Sequence, residues 1–267
     1  LTVAAQCLRG LLSGIFRYAS RHLGFPGQSP TASLDRVERP NLDDQRDKRI
    51  LSQDELNRLL AAIPERLRLL YELASETGGR RGEILGLNWS EIDFDAGTIE
   101  FTHQLSSRTR QRVPLKTKRS RRAVEITPAM AQSLRAAKLK SRRSGDHDLV
   151  FPGQDGNGRD GGVVARTLDR AAKRAGLDAI LNGDQVVLPA PTFHSLRHTH
   201  ASALIAAGWD LEEVSARLGH TDVSVTAKAY VRAYDHARRS VDRRTRLQAL
   251  YSSAHAPINA DVRSING

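Results

Sequence analysis

Apolar residues return at helical intervals over most of this chain, with one interruption near its middle. Leu8, Leu12, Ile15, Phe16, Ala19 and Leu23 share a face and Gly24 offers a stop, so residues 3–23 are predicted to form one amphipathic helix. The next stretch, 25–49, holds Pro26, Pro30 and Pro40 among Ser, Asp and Arg with almost no apolar period, and reads as a linker. Ser52 and Glu55 form a capping-box pattern ahead of Leu56, Leu59, Leu60 and Ile63, which marks the first helix of a main domain over 50–267. Pro64 ends that helix and Glu65 opens another. Between 98 and 126 the helical period fades, and β-prone pieces at 98–102, 112–115 and 123–126 predict a small antiparallel sheet. Helical patterns return at 128–140, 163–175, 194–207 and 211–218, the last opening on Asp210 and Glu213. The expected fold is therefore mainly α with a small antiparallel β-sheet. The glycines of 153–162 do not match a phosphate-cradling spacing and read as an exposed loop, and no internal repeat is visible.

Composition narrows the function. With 39% hydrophobic and 27% charged residues among 267, the chain can bury a sizeable core. A single cysteine, Cys7, leaves no internal disulfide framework and too few thiolates for a structural zinc site, so the chain reads as cytoplasmic. Arg9, Arg17, Arg21 and His22 interrupt the apolar face of the first helix, which argues against a membrane span or a signal segment. The sequence opens on Leu1 and its one methionine is Met130, so an upstream part of the natural polypeptide is expected. Lys and Arg number 41 against 30 Asp and Glu, for a formal charge of +11. That balance favours a polyanionic partner, with nucleic acid first and an Arg-rich genome bias as the bland alternative.

Three places concentrate residues that could do chemistry. In Thr77-Gly78-Gly79-Arg80-Arg81-Gly82-Glu83, an arginine just after a helix-ending Gly pair can aim its fork into a cleft while Glu83 holds it. The alternative is a solvated Arg pair beside a helix end. From 104 to 122, Arg108, Arg110, Arg112, Lys116, Lys118, Arg119, Arg121 and Arg122 occur with no acid, a density suited to a phosphate backbone, although charge runs are usually solvated faces. Lys116 follows Leu115 at a strand end, where a mobile ammonium can donate a proton to a leaving oxygen. The third place is His194-Ser195-Leu196-Arg197-His198-Thr199-His200, followed by Leu218-Gly219-His220 and then Tyr230. His194 and Arg197 are one helical turn apart and could grip one phosphate. His194 and His198 have an i, i+4 spacing, but no acid or cysteine follows at ligand spacing, so no metal is expected.

Taken in order, Arg80, Lys116, His194-x-x-Arg197, Leu218-Gly219-His220 and Tyr230 resemble the tyrosine site-specific recombinases, the phage-integrase family, over roughly 50–246. The resemblance implies the tyrosine recombinase or type IB topoisomerase-like catalytic fold, with residues 1–24 as the last helix of a truncated core-binding domain. It implies that Arg80, Lys116, His194, Arg197 and His220 surround a scissile phosphate, that Tyr230 attacks it, and that Glu83 supports Arg80. Arg108, Arg110, Arg112, Lys118, Arg119, Arg121 and Arg122 would bind DNA. Gly79 departs from the bulkier residue usual before the family's arginine. Tyr230 stands ten residues after His220, within the family's gap, whereas Tyr234 stands fourteen after it.

The same resemblance implies strand exchange through a covalent 3′-phosphotyrosyl intermediate without metal or nucleotide cofactor. It also implies a homotetramer on two double-stranded DNA sites, with accessory DNA-bending proteins as candidate partners. The segment 228–246, with seven basic residues and two acids, is a candidate for docking on a neighbouring protomer or for binding DNA. Two alternatives stay open: relaxation of DNA in the manner of a type IB topoisomerase, and a catalytically silent DNA-binding protein on the same scaffold.

Overall fold

A computed structural model describes residues 2–34, 49–117, 120–183 and 185–219. The chain divides into two compact units, Leu1–Lys48 and Arg49–Gly267. In the first, α1 (Thr2–His22) ends as its spacing predicts, with Gly24 in the left-handed region at φ +64°. Leu8, Leu11, Leu12, Ile15 and Tyr18 along it are exposed. Among the described residues no helix is long and apolar enough to cross a membrane.

The second unit is helical around a small β region. Ser52 and Glu55 exchange the two capping bonds that start α2 (Gln53–Ala62), and buried Arg49, the last residue of the expected linker, donates to Glu55 at 2.6 Å. After Pro64, α3 (Glu65–Thr77) carries Leu67, Leu70, Tyr71, Leu73 and Ala74 into the core. Each buried leucine among them stabilises by roughly 1.5–3 kcal/mol. The short α4 (Arg81–Leu85) follows, a helix that its two glycine neighbours hide from periodicity.

The β region differs from the single sheet the sequence predicts. β1 (Ile92–Asp93), β2 (Thr98–Phe101) and β5 (Arg122–Glu125) make one antiparallel sheet in the order β1-β2-β5, with Ile99 facing Ile92 and Val124 in register. β3 (His103–Leu105) pairs instead with β4 (Arg112–Pro114) as a separate hairpin. The division arises because the piece at 112–115 finds its partner in His103-Gln104-Leu105, which has little β propensity of its own.

Helix α5 (Pro128–Lys140) and α6 (Gly161–Arg174) pack on the same core, and a second unpredicted hairpin, β6 (Ile180–Asn182) and β7 (Gln185–Leu188), follows them. α7 (Phe193–Ala206) starts at Thr192, whose backbone N–H donates to Ser195, and runs along α3, with the Phe193 and Tyr71 rings 5.9 Å apart. α8 (Leu211–Leu218), capped by Asp210 and Glu213, folds back on α7 through Ala201, Ile205, Val214 and Leu218. These four side chains form a core cluster of their own, which fixes the end of α8 against the middle of α7.

Candidate active site

The site is built where α3 and α8 end. An α-helix leaves its last carbonyls without intrahelical partners, and they carry the negative end of the helix dipole. At the end of α8, three arginines from three separate elements take up three successive carbonyls. Arg122 of β5 donates Nε to the carbonyl of Arg217 at 2.6 Å. Arg197 of α7 donates Nη2 to that of Leu218 at 2.6 Å, and Arg80, just before α4, donates Nη2 to that of Gly219 at 3.3 Å. Through Nη1, Arg197 also reaches the carbonyl of Gly78 at 2.8 Å, where α3 ends.

The two glycines at these helix ends are sterically required. Gly78 and Gly219 have φ of +64° and +67°, and a Cβ on Gly78 would sit 2.8 Å from both His200 and Leu218. A Cβ on Gly219 would sit 2.9 Å from the Arg122 guanidinium. Gly79 meets a different need: Ile84 and Phe101 occupy the space its side chain would fill.

Glu83 joins two of the three arginines. Its side chain is fully buried; Oε1 accepts from Arg80 Nη1 at 2.8 Å, and Oε2 accepts from the Arg80 backbone N–H and from Arg122 Nη2, each at 2.8 Å. Burial by itself pushes the Glu83 carboxyl up, but the hydrogen bonds and charges of Arg122 and Arg80 outweigh it and hold the group below the ordinary carboxylate range. Arg80 keeps 39% of its side chain exposed, and a guanidinium has five donors, so these bonds aim it without exhausting it. Arg197, by contrast, is 1% exposed.

Arg122 departs from the exposed basic stripe that the sequence predicts. Its side chain is 6% exposed, paired with Glu83 and laid over the Phe101 ring at 4.7 Å, because it shares the inward face of β5 with buried Val124. It braces the site and presents no open cation. Arg110 and Arg112 are also engaged, Arg110 with Asp155 and Arg112 with Glu91. Arg108 and Arg121 are exposed. Lys118, Arg119, His220, Tyr230 and Tyr234 lie outside the described residues.

Lys116 and His194 line two clefts that share Arg81. Exposed Lys116 lines a cleft of about 460 Å³ with Arg81, and Arg81 lines a second cleft, of about 550 Å³, with His194. Arg81 thus stands where the two clefts adjoin. His194 is exposed and meets the ring of buried His198 edge-on at 4.4 Å.

The sequence reading missed two contributors, Arg217 and His200. Arg217 donates Nη1 to Glu125 at 2.6 Å and Nε to His200 Nε2 at 3.2 Å, which ties α8 to β5 and α7. Burial, then the charges of Arg217 and Arg197, push the His200 imidazole down to about 3, against a bond to the Ser75 backbone that pulls it up. His200 is therefore neutral in the folded chain and takes up a proton on unfolding below its ordinary value of about 6.5. With more protons on the unfolded state, stability falls as pH falls, by about 1 kcal/mol between pH 6 and 5. Urea midpoints across that range check this, and His200→Gln, which keeps an acceptor for Arg217, is expected to flatten the dependence.

Arginines from scattered positions that meet at the carbonyls of Leu218 and Gly219 can bind a phosphoryl group between them. The model of the phage integrase family matches residues 49–237. The chain belongs to that family. This phage-integrase member is 31% identical over 203 residues to a tyrosine recombinase XerC-like protein of Caldanaerobacter subterraneus subsp. tengcongensis, a match covering 67% of this chain and 49% of that protein. It is 30% identical over 208 residues to an integrase/recombinase of Escherichia coli, covering 66% of this chain and 58% of that one. The chain spans about half the length of the relatives it matches. Among solved structures, the Tn1549 transposon integrase in complex with a circular intermediate DNA has a TM-score of 0.66 at 18% identity, covering 83% of this chain and 72% of that one. A lambda integrase dimer bound to a COC′ core site has a TM-score of 0.59 at 23% identity, covering 85% and 73%. The fold is that of these recombinases.

Proposed function

We propose that this chain cleaves and rejoins double-stranded DNA through a covalent 3′-phosphotyrosyl intermediate on Tyr230. The observation that carries the reading is the meeting of Arg80 and Arg197 on the turn that leads directly into His220. A phosphodiester under attack gathers negative charge on its non-bridging oxygens, and pre-aimed guanidiniums stabilise that charge more than they stabilise the ground state. Arg80 and Arg197 supply the forks and His220 one further hydrogen bond.

In the forward step the Tyr230 oxygen bonds to phosphorus and the bond from phosphorus to the 5′-oxygen breaks. Lys116 gives that oxygen its proton, and His194 receives the phenol's, whose ordinary pKa of ~10 calls for a base. The 5′-hydroxyl of a second strand reverses the attack, so the energy of the broken bond is kept in the phosphotyrosine. The functional unit is a tetramer on two DNA sites, with 228–246 reaching a neighbour.

The test is a nicked duplex carrying the element's attachment site, incubated in EDTA and resolved in SDS. A protein–DNA adduct is expected from the wild type and from Tyr234→Phe and none from Tyr230→Phe. Loss in Tyr234→Phe alone would move the nucleophile, and absence of adduct from a full-length wild-type chain would leave a silent DNA-binding protein.

A further inference from the structure

The cleft beside Lys116 holds more positive charge than the strand-transfer reading uses. Four cations line it, Arg81, Arg110, Lys116 and Arg159, and no carboxylate does. Arg110 is paired with Asp155 outside the cleft, but Arg81, Lys116 and Arg159 make no ion pair among the described residues. Among the described residues Arg81 donates only to the carbonyl of Gly161, at 3.3 Å.

Arg159 is the least compensated of the three. Its Nη2 reaches the carbonyl of Pro152, while Nε is buried with no hydrogen-bond partner among the described residues. Burial and the like charge of Arg66 hold its guanidinium below the ordinary arginine range. The Tyr71 phenol interacts with it, but burial pushes that phenol up to about 12, so it stays neutral and offers no counter-charge. A cation kept partly desolvated beside another cation destabilises the fold unless an anion arrives to meet it.

We infer that Arg81 and Arg159, in the same cleft as Lys116, form a second phosphate subsite that holds a DNA phosphodiester next to the one under attack. The inference rests on the strand-transfer reading, which places Lys116 at the departing 5′-oxygen. One wall of a cleft then handles the scissile linkage and the rest of it the neighbouring one. Arg81, at the junction with the His194 cleft, is placed to keep the strand in register between the lysine and the histidine. Phosphate contacts of this kind position the backbone and read no bases.

The experiment compares the wild-type chain with Arg81→Gln, Arg81→Lys and Arg159→Gln on a short fluorescent duplex of arbitrary sequence, titrated over a series of salt concentrations. Each lost phosphate contact is expected to lower the slope of log affinity against log salt by about 0.9. Arg81→Gln and Arg159→Gln should each show that drop, and Arg81→Lys should restore most of it.

Thermal melts of the same variants separate binding from folding. Arg159→Gln removes an uncompensated cation and is expected to melt at or above the wild-type temperature while binding more weakly. A lower melting temperature with unchanged affinity would make Arg159 purely structural and overturn the subsite. So would unchanged slopes in both Gln variants when the wild type binds and still forms its adduct, a result that leaves strand transfer intact. Wild-type binding that salt does not weaken would overturn the subsite and the DNA reading together.

Discussion

Glu83→Ala is expected to destabilise the catalytic unit by about 3–5 kcal/mol, the range for stripping one partner from a buried ion pair. Among the described residues the carboxylate is the counter-charge of both Arg80 and Arg122, and the Arg122 side chain is almost fully buried. Its removal leaves two guanidiniums facing one another across a cavity and frees the Arg80 backbone N–H as well. At roughly 2–4 °C per kcal/mol for a unit of this size, the melting temperature should fall by about 6–20 °C. Replacing Arg122 by methionine in the same chain is expected to recover part of the loss, because one of the stranded charges goes with it. No recovery would mean that the cavity, and not the stranded charge, causes the loss.

The same group sets part of the acid response. Its folded-state pKa lies below the ordinary carboxylate value of 4.5, so its stabilisation is complete above that value and disappears as pH falls through the depressed one. His200 acts earlier, between pH 6.5 and its depressed value of about 3. Acid therefore first lowers global stability through the proton that His200 takes up on unfolding, and Glu83 adds its share only below about 4.5.

Much of this arrangement was legible in the residues. Ser52 with Glu55 and Asp210 with Glu213 announce their helices because capping is a local affair between neighbours in sequence. The pairing of Arg80 with Glu83 is one helical turn long and could be read the same way. The burial of Arg122 has a signal in the sequence: it alternates with Val124, so on a strand it shares the buried face, while Arg121 is exposed. The division of the β region was harder to read, since His103-Gln104-Leu105 becomes a strand only by pairing with β4. The carbonyl cluster had no signal at all. Backbone oxygens carry no residue identity, and which side chains reach them depends on how α3, α7 and α8 end in space.

That last dependence makes Arg197 the position where fold and reaction are least separable. Its two Nη atoms join the carbonyls of Gly78 and Leu218, so one planar fork holds the ends of α3 and α8 at a fixed spacing. Lysine keeps the charge, but its single ammonium lacks the fork that bridges both oxygens. Arg197→Lys is therefore expected to leave one buried carbonyl without a partner, at about 1–3 kcal/mol, and the chain should still fold. The effect on strand cleavage should be larger, because the same substitution removes a bidentate donor from the proposed transition state. Losing one such donor lowers a rate by about 10²–10³-fold. The comparison that isolates this term is Arg122→Lys, which disturbs the neighbouring carbonyl of Arg217 and the pairing with Glu83 at a residue to which the proposed reaction gives no donor role. Matched urea midpoints with adduct formation slowed in Arg197→Lys alone would assign the difference to chemistry. Equal rates in the two variants would reduce Arg197 to a clamp between helix ends.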